Sequence, residues 1–113
     1  MAQHQKPFFK NDSTEWTELD GGLKRKILGH NDNLMMVKIF FPEGSVGAAH
    51  NHPHSQTTYV ASGVFEVTLD GRKEILKEGD SFFVPPGKIH GVVNLESGIL
   101  IDCFSPRRED FLK

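Results

Sequence analysis

Six histidines occur among the 113 residues, and three of them, His50, His52 and His54, fall within five positions. Side chains alternate faces along a strand, so these three share one face for as long as strand geometry lasts. Two imidazoles on one face, one residue apart, can both reach a single ion. His-x-His is therefore a metal-ligand spacing, although the same pair also occurs as plain surface histidines. Gln56 follows His52 by four residues, and His90 stands behind the rigid turn Pro85-Pro86-Gly87. His4, in the polar N-terminal stretch, and His30, before the turn Asn31-Asp32-Asn33, are not placed to ligate, and His54 reads as a group at the rim of any such site.

A second chemical feature lies in the run from Gly98 to Phe104. Alternation sets Ile99, Ile101 and Cys103 on one face and Leu100, Asp102 and Phe104 on the other. A carboxylate within an apolar strand is costly unless it is paired or functional. Asp102 reads either as a structural group bonded to backbone, Arg107 or Arg108, or as a working acid. Cys103 reads as a small buried apolar residue, with nothing nearby to lower its thiol pKa.

The elements that must position these groups are strands. Leu23, Arg25 and Ile27 alternate with lysines, the pattern of an edge or half-exposed strand. Leu34 to Phe41 is an apolar run broken only by Lys38 and stopped by Pro42-Glu43-Gly44. The segments 56–61 and 64–69 follow, then the hairpin signal Asp70-Gly71 and a return strand from Ile75 that ends at Glu78-Gly79-Asp80. Residues 81–84, 89–95 and 98–104 make three more short strands. No stretch shows sustained helical spacing, and only Arg107–Lys113 is suited to a helical turn. Eight to ten short strands at regular intervals predict an all-β sandwich or barrel. Residues 1–13 read as a flexible arm pinned by Phe8 and Phe9, within a single domain of residues 1–113.

With these residues in place, the chain resembles the cupin family. That family's first motif, G-x5-H-x-H-x3,4-E-x6-G, is matched from Gly44 through His50 and His52 to Gly63, with Gln56 where the family usually has Glu. Its second, G-x5-P-x-G-x2-H-x3-N, is matched at every fixed position from Gly79 through Pro85, Gly87 and His90 to Asn94. The resemblance implies a double-stranded β-helix, or jelly-roll, barrel, with His50, His52, Gln56 and His90 converging on one divalent ion. Imidazole suits Zn, Ni, Fe, Co and Cu, and Mn stays in the set, so the ion's identity is not in the sequence. A neutral amide in place of Glu leaves the ion's full charge, making it a stronger Lewis acid and more welcoming to an anion. The alternative is that Gln56 does not coordinate and water fills its place.

The pieces HNHPHSQ, at 50–56, and DxFSPxRxDF, at 102–111, are similar to those of the small cupins of pectin and alginate breakdown, which convert 4,5-unsaturated uronates to linear keto sugars. That likeness implies Asp102, Phe104 and Arg108 around a small anionic sugar, although Ser55 and Arg107 replace the usual Glu and Pro. Competing expectations are an Fe(II)-dependent dioxygenase and a non-catalytic sugar- or metal-binding cupin. A homodimer is expected by family habit, with Leu34–Phe41 as the contact.

The bulk numbers narrow the field. A net charge of -2 with interspersed signs offers no basic block for nucleic acid. A single cysteine forms no intrachain disulfide, and no apolar run is long enough to cross a bilayer, so a cytoplasmic protein without membrane contact is the expectation.

Overall fold

The computed structural model describes residues 6–113. Eight strands follow in order: β1 (Thr17–Glu18), β2 (Lys24–His30), β3 (Met35–Phe41), β4 (Val46–His50), β5 (Ser55–Leu69), β6 (Arg72–Lys77), β7 (Ser81–Val84) and β8 (His90–Ser105). Short 3-10 turns at Asn11–Ser13, Asp20–Gly22 and Glu109–Leu112 complete the described chain. Every pairing is antiparallel.

The two long strands organise the fold. β5 and β8 pair along their whole lengths, and each serves two sheets. The first half of β5 and the second half of β8 lie in the order β1-β2-β3-β8-β5-β7. The other halves lie between β4 and β6. The sequence patterning predicts a break in each of these strands, at residues 62–63 and 96–97, beside Gly63 and Gly98. The chain instead runs through both points with shifts of register around Ser62 and Val64. Here the backbones nearly touch. A methyl on Gly63 would lie 2.6 Å from the Glu96 carbonyl oxygen, and one on Gly98 would collide with the Ser62 carbonyl. Gly63 also takes a φ of +84°. The glycines are therefore where the two sheets fold over one another, not where strands end.

Cross-strand register sets which side chains meet inside. One inward row reads Met35, Phe104, Gln56, Val84; the next reads Val37, Asp102, Thr58, Phe82. A third contains Arg25, Ile39, Leu100 and Val60. Phe41, Val60, Phe65, Val67, Val92 and Leu100 fill one end of the barrel, with Phe41 and Phe65 edge to face at 5.2 Å. Met35, Val37 and Phe104 form a second cluster against Ile27 and Phe111. The polar rows lie among these apolar groups, so their orientation is fixed by packing.

Two expectations change, at Phe8 and at Cys103. The N-terminal arm is tied to β2 at Asn11, although residues 6–13 other than Phe9 are exposed. Asn11 accepts Lys26 Nζ at its carbonyl (3.0 Å) and side chain (2.8 Å), and Lys26 stacks on Trp16 at 4.7 Å. Phe8, expected to pin the arm, is 78% exposed. β2 is half-exposed along its length except at Lys26, which is buried on its outer side, while Arg25 faces inward. Cys103, expected to be buried, faces outward and is partly exposed; its thiol pKa is raised, first by desolvation and then by Asp102. His4 lies outside the described residues.

Candidate metal centre and substrate cavity

His50 and His90 are direct partners across β4 and β8. His52 sits in the loop after β4, where its carbonyl accepts the Gly87 N–H at 2.8 Å. That bond joins the Pro-Pro-Gly turn to the histidine loop, and Gly87 makes the turn with a φ of +81°. Nitrogens of His50, His52 and His90 thus come within 4.8 Å of one another.

Each ring is oriented by a carbonyl two residues away. The Nδ1 atoms of His50, His52 and His90 lie 2.9, 3.1 and 3.0 Å from the carbonyls of Ala48, His54 and Lys88. A carbonyl only accepts, so the hydrogen belongs on each Nδ1 and the Nε2 lone pairs remain for a ligand. His90 Nε2 is buried with no partner. Burial, ahead of the neighbouring rings, lowers the His90 pKa and keeps the imidazole neutral, as ligation requires.

Gln56 completes the set. Its Nε2 donates to Thr58 Oγ1 at 2.9 Å and reaches Asp102 Oδ1 at 3.5 Å, which turns its Oε1 toward His52 Nε2 at 2.9 Å. Two acceptors then face each other, a repulsive contact that a cation between them removes. Two ligands at right angles, each about 2.1 Å from an ion, would stand about 3.0 Å apart. The acceptor conflict, the unpartnered His90 nitrogen and the three Nδ1 bonds all fit a divalent ion held by His50, His52, Gln56 and His90.

A cavity of about 250 Å³ adjoins this cluster, lined by His50, Gln56, His90, Asp102, Phe104 and Arg108 among others. Asp102 is 6% exposed, and Thr58, opposite it in the register, donates to its Oδ1 at 2.6 Å. Desolvation raises the Asp102 pKa from 3.8 to about 6, against the opposing Thr58 bond and Arg108 charge. Asp102 therefore bonds neither Arg107 nor Arg108. Arg107 pairs with Asp32 and Glu109. Arg108 lies 5.1 Å over Phe104 and gives its fork to Asp110, at 3.0 and 2.8 Å. His54 is outside the cavity lining, packed edge-on to His52 and near Phe104.

The cluster, its cavity and the motif spacing now meet in one fold. A cupin-domain family model matches residues 37–101. The chain belongs to the cupin family. This cupin is 50% identical over 107 residues to the pectin degradation protein KdgF of Dickeya dadantii, covering 93% of this chain and 97% of that one. Among solved structures, an RmlC-like cupin from Shewanella frigidimarina superposes with a TM-score of 0.93 at 51% identity, covering 97% and 99% of the two chains. KdgF from Halomonas sp. superposes with a TM-score of 0.90 at 44% identity, covering 94% and 98%. The motifs pass over two polar groups of this cupin's interior: Arg25, which lines the cavity, and Thr58, which is buried against Asp102. A local signal existed only for Thr58, which shares a strand face with Gln56 and Val60.

Proposed function

We propose that this cupin converts 4,5-unsaturated uronate monosaccharides, released from pectin or alginate, to linear keto sugars. The observation that carries the reading is a buried carboxyl, Asp102, hydrogen-bonded through Thr58 and Gln56 to the metal centre at the wall of a sugar-sized cavity. Similarity over nearly the whole chain to a pectin degradation protein supports the substrate class.

The reaction is an isomerisation that needs no redox partner. Asp102 accepts the proton of the anomeric hydroxyl, C1 becomes an aldehyde as the bond from C1 to the ring oxygen breaks, and its electrons pass to the ring oxygen as a C5 enolate. Asp102 returns the proton to C4, leaving a ketone at C5. A carboxyl with a pKa of about 6 can move a proton in both directions near neutral pH. Thr58 holds Asp102 in place, Phe104 packs against a sugar face, and Arg108 adds positive charge at the cavity. A bound divalent ion would supply Lewis acidity toward the oxygen on which charge develops. Gln56, being neutral, leaves that ion's charge undiminished.

We also propose a homodimer. Leu34, Met36, Tyr59 and Phe83 are exposed on the outer face of β3, β5 and β7, and Met36, Cys103, Thr57 and Phe83 form one cross-strand row there. Met35 and Val37 point inward, so only alternate residues of the Leu34–Phe41 run are available to a second copy. The single cysteine is the ground for a cytoplasmic location.

Incubation with unsaturated galacturonate, following loss of the ultraviolet absorbance of its conjugated double bond and oxygen uptake in parallel, tests the activity. Metal-dependent loss of absorbance without oxygen uptake is expected. Stoichiometric oxygen uptake would point to a dioxygenase, and an unchanged sugar to a binding protein.

A further inference from the structure

Arg25 belongs to neither histidine motif and takes no part in the proton transfer. It stands in an inward row with Ile39, Leu100 and Val60, adjacent to the row of Asp102, and it lines the same cavity. Apolar surroundings are costly for a guanidinium that lacks a partner. Among the described residues Arg25 forms no ion pair, and its Nε is buried without a hydrogen bond. Its contact is the Phe111 ring, 4.0 Å below the guanidinium. Arg108 stacks on the same ring at 4.3 Å.

Two guanidiniums share the Phe111 ring and one nearby carboxylate. Arg25 and Arg108 repel one another, and Asp110 is the anion that attracts both. Asp110, however, gives both carboxylate oxygens to the Arg108 fork. Asp102, the other carboxylate of the cavity, is bonded by Thr58, so Arg25 has no carboxylate on its own donors.

We propose that Arg25 binds the carboxylate of the substrate and is the residue by which this cavity selects an acidic sugar over a neutral one. The proposal rests on the uronate reading and deepens it. Arg108, committed to Asp110, contributes field and packing, while Arg25 supplies the free planar fork that suits a carboxylate. Phe111 holds the Arg25 guanidinium in place, so little side-chain freedom is lost on binding.

The test is calorimetric binding of galacturonate and of galactose to wild-type, Arg25→Met and Arg25→Lys proteins, each with its divalent ion restored. Metal content and thermal melting are measured on the same samples. Methionine keeps the stem's packing and removes the charge; lysine keeps the charge without the fork. A charge-assisted hydrogen bond is worth about 1.5–3 kcal/mol, so Arg25→Met should weaken galacturonate binding by roughly 10- to 100-fold. Arg25→Lys should weaken it less, the preference over galactose should narrow in step, and metal and fold should be retained. Wild-type affinity in Arg25→Met, or affinity lost only together with metal or fold, would overturn the role of Arg25 and leave the uronate reading standing. A wild-type protein that neither binds galacturonate nor turns over its unsaturated counterpart would overturn both.

Discussion

Gln56 and Asp102 are joined by hydrogen bonds, yet they make separable predictions. The three Nδ1–carbonyl bonds and the bare His90 nitrogen predict about one equivalent of divalent ion per chain, to be counted by elemental analysis. His90→Ala should lose most of it. Gln56→Glu should retain the ion but bind galacturonate more weakly, because the added anion lowers the net charge of the site. Equal affinity in the two forms would take Gln56 out of the coordination sphere. Asp102 allows a sharper test in metal-free protein. Its folded pKa of about 6 lies above its usual 3.8, so the fold binds the proton more tightly than the unfolded chain does. The cost of burying the carboxylate is absent below about pH 4. It grows as pH rises through 6, to about 3 kcal/mol. Asp102→Asn should therefore match wild type in urea unfolding at low pH and exceed it at pH 8, while losing about 10²–10⁴-fold in turnover. A variant that is destabilised at every pH and turns over normally would make Asp102 structural.

Strand identities were legible in the sequence because alternation survives wherever one face is buried: Leu100, Asp102 and Phe104 do point inward as their spacing predicts. Continuity was not legible. Gly63 and Gly98 read as strand ends, since nothing in a local pattern reveals that two backbones will approach too closely for a side chain. Nor did the lysines of β2 disclose that Trp16 and Asn11 would cover Lys26, which is a contact across 15 positions of chain. Of the site, the four metal-ligand candidates were legible from motif spacing. Arg25 was not, because its inward position follows from pairing with Ile39, a property of the sheet. The close approach can be isolated by comparing two glycines of nearly equal φ. Gly63→Ala should lose at least about 2 kcal/mol in urea unfolding, from both the left-handed backbone and the collision with the Glu96 carbonyl. Gly71→Ala, with nothing within 4 Å of the added methyl, should lose only the backbone part, about 1 kcal/mol.

At the scale of the whole molecule, two sheets share two long strands, and His50, His90, Gln56, Asp102 and Arg25 all line one cavity between them. The outer face carries the other apolar surface. If a second copy covers it, Tyr59→Lys with Phe83→Lys should shift the protein from dimer to monomer in sedimentation equilibrium without loss of metal; a wild-type monomer would remove that interface. Among the described residues no helix is long and apolar enough to cross a membrane. The central claim is that this barrel opens an unsaturated uronate by moving a proton to C4 with the aid of a bound divalent ion. Its most direct test is nuclear magnetic resonance of 4,5-unsaturated galacturonate incubated in D2O with metal-stripped and metal-restored protein, against a sample without protein. The account predicts that the restored protein alone accelerates formation of the linear keto sugar, with solvent deuterium at C4. A fully metal-loaded protein that leaves the sugar at the protein-free rate would contradict it.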